Sequence, residues 1–242
     1  MSSKIIHLKE VDSTNTYASD HFDSLEDGTL VLAETQTAGH GRLGRRWASP
    51  SGGIYASFVM KNLFGEPFHA TLVSSLAVLA AVNEIIPGSG AFIKWPNDVY
   101  VGHRKLCGIL CEGVIRNGGL NGIICGIGVN ANMSAEELEK IDQPAISLEQ
   151  MAAKKISLDF FVEKLIVYLN WYYTIGIDSL ERLFTMWKKE NRIIGQTVMM
   201  VPPRREQFQA VVKDIAEDGR LVAEHDGTVE SFACGDVKIL LG

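Results

Sequence analysis

QTAGHGRLGRRW, from Gln36 to Trp47, is the stretch from which the rest of the chain is best read. Inside it, Gly39-His40-Gly41-Arg42-Leu43-Gly44 matches G-x-G-x-x-G. In a dinucleotide-binding unit that pattern opens a helix, and an acidic residue follows about 20 positions on. Neither condition holds here. Arg45-Arg46-Trp47 runs into Pro50, Gly52 and Gly53, which deny a sustained helix, and no acid occurs before Glu66. A Rossmann reading is rejected. The chain also lacks a Walker A loop and a Gly-x-Ser-x-Gly elbow.

What is left is a basic, glycine-rich loop. No acidic residue lies between Glu34 and Glu66, whereas Arg42, Arg45, Arg46 and Lys61 do, in a chain of net charge −6. Glycines let backbone N–H groups converge on an anion. Two arginines three apart can fork onto carboxylate or phosphate oxygens, and Trp47 supplies a flat apolar wall. The loop reads as the seat of an anionic ligand.

The surroundings narrow the class. With 242 residues, 46% hydrophobic, 21% charged and only 7 prolines, the chain is a packed globular protein. A net −6 speaks against broad nucleic-acid binding. Met1 to Glu10 has no apolar core of a secretory signal. The longest uncharged run, Asn117 to Ala135, holds five glycines and four asparagines and does not read as a membrane span. Neither a nucleic-acid nor a membrane partner is expected. Cys107, Cys111, Cys125 and Cys234 read as reduced thiols of a cytoplasmic protein, not as a disulfide framework or a metal site.

Periodicity and turn residues predict strands at Lys4–Leu8, Gly28–Glu34, Ile54–Met60, Ala91–Trp95, Lys105–Val114 and Gly122–Val129. Helices are predicted from Ser13 to about Phe22 and over Phe68–Ile86, Ser134–Ile141, Ser157–Tyr173 and Asp178–Glu190. From Gly195 onward only short strands follow, at Gln196–Val201, Gln207–Ile215, Arg220–Glu224, Thr228–Ala233 and Val237–Leu241. The fold class is α+β: a mixed central sheet with helices packed on it over residues 1–191, and a small β-barrel over 192–242.

A second cluster lies downstream. Lys94-Trp95-Pro96-Asn97-Asp98-Val99-Tyr100 and Lys105-Leu106-Cys107-Gly108-Ile109-Leu110 read as strand, turn and strand, bringing Lys94 and Lys105 close. Gly126-Ile127-Gly128-Val129-Asn130 closes a third strand nearby. Together with Ser13-Thr14-Asn15 and the Gln36–Trp47 loop, these segments resemble the biotin protein ligases in order and spacing, and the likeness extends over essentially the whole chain. The resemblance implies a class II synthetase-like biotin/lipoyl ligase fold with a C-terminal SH3-like domain. The chain opens on the catalytic domain's first strand, like the family's monofunctional form. The family loop usually reads Gly-Arg-Gly-Arg; here His40 takes the place of the first arginine.

The activity so implied is ATP-dependent attachment of biotin, through biotinyl-5′-AMP, to a lysine of a biotin carboxyl carrier protein or domain of a biotin-dependent carboxylase. By resemblance, Arg42, Arg45, Lys105 and Asp98 are catalytic. Ser13, Thr14, Asn15, Gln36, Gly39, His40, Gly41, Trp47, Lys105, Gly108 and Leu110 bind biotin. Arg42, Arg45, Trp47, Lys94, Asn97 and Asn130 bind ATP, with Asn130 reading the adenine edge. Mg²⁺ accompanies ATP. Three roles stand open for Asp98: holding the metal, receiving the incoming lysine's ammonium, or capping its turn. A homodimer fits the family pattern. The alternatives are a lipoate or octanoate ligase of the same fold, or a biotin-sensing regulator without catalysis. Because an acyl-adenylate is labile in water, the Gly39–Trp47 loop is expected to act as a lid.

Overall fold

The computed structural model describes residues 4–62, 65–202, 206–233 and 238–241. Its centre is a seven-stranded sheet built from β1 (Ile5–Val11), β2 (Leu30–Gln36), β3 (Ile54–Met60), β4 (Ala91–Lys94), β5 (Asp98–Val101), β6 (Arg104–Arg116) and β7 (Gly119–Val129). The spatial order is β1-β2-β3-β7-β6-β5-β4. Only the β1–β2 pair is parallel. The central strand β3, IYASFVM, is buried at all of its 7 positions, because both faces of the sheet are covered.

One face is covered by α2 (Pro67–Ile85), α5 (Leu158–Asp178) and α6 (Leu180–Glu190). Helix α2 starts with Pro67 at its first turn and a reciprocal cap between Glu66 and His69. It is apolar and long enough to cross a membrane by length and composition, yet it lies in the core between the sheet and α5. In α5, Phe161, Leu165, Leu169 and Tyr173 recur at helical spacing and face inward. Among the described residues, the opposite face of the sheet carries the short α1 (Thr14–Asp20), capped by Ser13, the turn Phe22–Ser24 and the glycine-rich loop. That thinly covered face is where the glycine loop and the Ser13–Asn15, Lys105–Leu110 and Gly126–Asn130 segments meet.

The second sheet has five strands in the order β11-β10-β9-β8-β12, all antiparallel: β8 (Thr197–Val201), β9 (Phe208–Ile215), β10 (Leu221–His225), β11 (Thr228–Phe232) and β12 (Lys238–Leu241). Its apolar side chains, among them Val198, Val212 and Leu221, are continuous with the main core. Trp95 crosses the junction: its indole N–H donates to Gly219 O at 2.9 Å, and the Phe68 ring lies against the Gly219 Cα.

Several expectations need correction. The segment between Ala91–Trp95 and Lys105–Val114 is not one turn: β5 intervenes, so the three strands form a meander and Asp98 begins a strand rather than sitting in the turn. The alternation Asp98-Val99-Tyr100-Val101, with two inward valines, was the available signal. Lys94 and Lys105 consequently flank β5, Lys94 beside Tyr100 and Lys105 beside Asp98. The predicted helix Ser134–Ile141 is only α3 (Ala135–Glu139), and a short α4 (Leu148–Ala152) follows it, capped by Ser147. Helix α5 runs on to Asp178, and Ser179 both ends it and caps α6. Val237 and Cys234 lie outside the described residues.

Candidate active site

The floor of the site is made of glycine. Gly108 on β6 lies opposite Gly128 on β7, and Gly126 lies opposite Leu110. A Cβ at Gly128 would sit 2.5 Å from the Trp47 indole, and one at Gly108 would sit 2.8 Å from it. The two bare positions make a shelf on which the indole lies flat. In the sequence Gly128 is one glycine of the Gly126–Asn130 segment; its steric reason emerges from the pairing across the strands. The Trp47 indole nitrogen is buried and has no hydrogen-bond partner among the described residues.

Above one end of this floor lies a largely buried network of neutral side chains that ends on the exposed carboxylate of Glu112. Thr14 donates from both its backbone N–H (2.8 Å) and its hydroxyl (3.1 Å) to Gln36 Oε1. Gln36 Nε2 donates to Ser49 Oγ at 2.9 Å, and Ser49 Oγ donates to Trp47 O at 3.2 Å. Asn15 Nδ2 donates to Leu110 O at 3.2 Å and to Glu112 Oε2 at 2.7 Å. Both partners are acceptors only, so the Asn15 amide has one orientation and its Oδ1 must accept. Ser57 Oγ supplies that proton at 2.6 Å and lies 2.8 Å from Thr14 Oγ1. Ser57 and Glu112 were not foreseen. Ser57 is a small hydroxyl in the mostly apolar, fully buried β3, the kind of position where a polar group demands a partner.

His40 faces this network from the loop. Its Nε2 lies 3.8 Å from Glu112 Oε2, and its Nδ1 is 3.4 Å from Ala38 O. The loop imidazole thus stands beside a carboxylate. Between α1, β6 and His40 lies a cavity of about 260 Å³.

The other end of the floor is charged. Lys105 Nζ lies 2.7 Å from Asp98 Oδ1, as an ion pair rather than an aligned hydrogen bond, with side chains 14% and 16% exposed. The same ammonium stands 5.4 Å from the Trp47 ring centre. Arg42 Nη1 donates to Asn97 Oδ1 at 3.3 Å, which ties the loop to the Trp95-Pro96-Asn97 turn; Asn97 Nδ2 in turn donates to Ile109 O. Lys94 Nζ lies 4.6 Å from the centre of the Tyr100 ring. Burial, with Asp98 as a lesser cause, pushes the Tyr100 hydroxyl well above its ordinary pKa.

Not every expected residue converges. Arg45 is exposed, and its carbonyl closes the loop by accepting from Gly41 N at 2.7 Å. Asn130 is 2% exposed; its Nδ2 donates to Lys105 O and Ile146 O, both at 3.2 Å. In this structure both of its amide hydrogens therefore go to backbone carbonyls. Its place is to join β6, β7 and the Ile146 segment beneath a small cavity of about 30 Å³ lined by Arg46, Trp47, Lys105 and Gln143. Asp98 is likewise committed to Lys105, and among the described residues no three His, Cys, Asp or Glu side chains converge as a metal site. A Mg²⁺ carried in on nucleotide phosphates needs no such cluster.

A shelf of glycines with a neutral hydrogen-bonding end and a cationic end defines a site for a small acid and an anion to meet. Residues 8–130 match the biotin/lipoate A/B protein ligase family, and the chain belongs to that family. Its relatives there include the bifunctional ligase/repressor BirA of Salmonella typhimurium, 31% identical over 98% of this chain and 75% of that one. The biotin–[acetyl-CoA-carboxylase] ligase of Mycobacterium tuberculosis is 29% identical over 87% of this chain and 79% of that one. Among solved structures, the biotin protein ligase from Aquifex aeolicus in complex with biotin and ATP superposes with a TM-score of 0.80 at 26% identity, covering 99% of both chains.

Proposed function

We propose that this chain is an ATP-dependent biotin ligase working in two half-reactions on the glycine floor. In the first, the biotin carboxylate attacks the α-phosphorus of ATP, forming biotinyl-5′-AMP and releasing pyrophosphate. In the second, a lysine amine of a biotin carboxyl carrier protein or domain attacks the mixed anhydride, forming the amide and releasing AMP. The observation that carries this reading is the pairing of opposites on one floor: the neutral Thr14–Gln36–Asn15–Ser57 network and, across the Gly108–Gly128 shelf, Lys105 with Asp98 and Arg42 with Asn97.

Each half suits its task. A cyclic urea carries N–H donors and a carbonyl acceptor but no charge, and it is matched by Ser13, Thr14, Gln36 and the backbone at Gly39 and His40. Gly39 is held to glycine because a Cβ there would lie 2.6 Å from Ser49 Oγ and 2.8 Å from Trp47 O. Bringing a carboxylate to a triphosphate requires fixed positive charge at the oxygens where negative charge develops. Lys105 and Arg42 supply it, with Arg45 and Arg46 on the exposed rim. In the resting site Asp98 holds Lys105. When a carboxylate arrives Lys105 turns to it, and Asp98 is released to receive the acceptor lysine, which must lose a proton before it can attack. Mg²⁺ comes with the nucleotide, held by phosphate oxygens and water. Residues 1–191 form the catalytic unit and 192–242 the SH3-like unit. The outer edge of β1 offers a strand for a homodimer. The free thiols Cys107, Cys111 and Cys125 support a cytoplasmic setting.

The test is labelling of an isolated biotin carrier domain with biotin and ATP. One carrier lysine is expected to be modified by the native chain, and lipoate is expected to be refused. Preferential transfer of lipoate would replace this reading with the lipoate alternative, and biotin binding without transfer would replace it with the sensor.

A further inference from the structure

Two cysteines that the activity does not use stand directly across from each other on the back of the floor. The register of β6 and β7 is unbroken from Cys107–Val129 to Val114–Gly122, and it places Cys111 opposite Cys125. The ladder continues one step beyond, where Asn130 N donates to Leu106 O at 3.0 Å, so that facing pair is of the hydrogen-bonded kind. Facing pairs in an antiparallel ladder alternate. Leu106, Gly108 and Leu110 therefore occupy hydrogen-bonded positions, and Cys107, Ile109 and Cys111 occupy the others. In a non-hydrogen-bonded pair the Cα atoms lie only about 4.5 Å apart with the side chains on one face, within the span a disulfide accepts.

We propose that Cys111 and Cys125 are an oxidisable dithiol that closes to a cross-strand disulfide under peroxide. The two differ in a way that assigns their roles. Cys111 is half-buried, so an oxidant reaches it; Cys125 is buried, with its Sγ 4.0 Å from Met60 Sδ and 4.0 Å from Ala70 O. Burial, and after it the hydrogen bond with Cys111, raises the Cys125 thiol well above its ordinary pKa, so Cys125 is the resolving partner and not the first to react. The Cys111 sulfur attacks a peroxide oxygen, giving a sulfenic acid and one water. The Cys125 sulfur then displaces the sulfenic hydroxyl, forming the S–S bond and a second water. Cys107 cannot substitute for Cys111, because it lies four residues away along the same strand, about 13 Å.

The bond joins strands whose neighbouring residues build the site on the opposite face. Leu110 and Glu112 hold Asn15, and Gly126 lies beneath it. A staple that fits the native register leaves that face in place.

The experiment treats the full-length reduced protein with hydrogen peroxide, blocks remaining thiols and maps the tryptic peptides. The expected product is about 2 Da lighter and joins the peptide Leu106–Arg116 to the one that begins at Asn117. It forms in Cys107→Ser and is lost in Cys111→Ser and Cys125→Ser. Recovery of Cys125 as a free thiol beside a singly oxidised Cys111, or the same cross-link in Cys111→Ser, overturns the proposal. Biotin affinity of the oxidised protein is expected to stay within about twofold of the reduced form. A loss of about tenfold or more shows that closure distorts the sheet, and overturns the fit to the native register.

Discussion

The two ends of the glycine floor solve different problems with different materials. At the Thr14 end, the polar groups are mostly neutral and bound to one another: Ser13, Thr14, Asn15 and Ser57 are each at most 5% exposed, and the charged Glu112 stands at the exposed margin. At the Lys105 end, charges are paired but nearer to water, and the arginines sit on a loop. A neutral head group gains little from long-range attraction, so it is recognised by donors and acceptors fixed in advance, and an unmet partner there is costly. Reacting anions need charge that can change partners during the reaction. The rigid end sets which ligand enters, and the exchangeable end does the chemistry.

The sharpest way to break this division is at Lys105. Lys105→Ala should lower biotin-dependent pyrophosphate exchange by about 10²–10³-fold, the scale for removing one preorganised charge-stabilising group, and Arg42→Ala should fall in the same direction. Exchange undiminished by both changes would refute the assignment of the charged end. Next comes Thr14→Val, which leaves Gln36 Oε1 short of one donor and removes the hydroxyl from the ligand. Biotin Kd measured by calorimetry should rise about 10–100-fold, while ATP affinity stays put. A shift in ATP affinity instead would show that the two ends are not separate.

Ser57→Ala tests rigidity itself. It leaves Asn15 Oδ1 buried without its donor and should lower unfolding stability by about 1–3 kcal/mol in urea titrations. An unchanged midpoint would mean the network relaxes freely. The smallest effect is expected far from the floor, at Lys188–Asp214, which links α6 to β9. The hydrogen bond from Lys188, and then the Ile215 N–H, hold the Asp214 carboxyl below its usual pKa. A depressed carboxylate adds stability above its unfolded pKa and loses it as pH falls through the folded one. The pair is about half-exposed, so Asp214→Asn should cost no more than about 0.5 kcal/mol at neutral pH. The difference should fade below about pH 4, where the unfolded carboxyl also protonates, as paired thermal melts would show.

Much of this was legible in the residues. Rejecting a Rossmann loop rested on Pro50, Gly52 and Gly53, and the loop indeed contains only the short turn Arg42–Gly44. Strand β3 was read residue for residue. Strand β5 escaped because its four residues follow a Trp-Pro-Asn turn signal strong enough to mask them. The backbone partners of Asn130 left no local sign, because the carbonyls that take its amide hydrogens are 25 and 16 residues away. Glu112 gave no local sign of its role, since its partner Asn15 is 97 residues distant.

The sequence by itself determined which kinds of group this protein holds: a basic glycine loop free of acids, a lysine-bearing meander and a run of caps and hydroxyls at Ser13–Asn15. Those follow from composition and spacing, which are properties of neighbours along the chain. Only the tertiary structure decided which of them act together. Pairing of β6 with β7 turned two separated glycines into one shelf, seated Trp47 on it, matched Lys105 with Asp98 and set Cys111 against Cys125. Register across strands is fixed by burial of the whole sheet, and no local pattern encodes it.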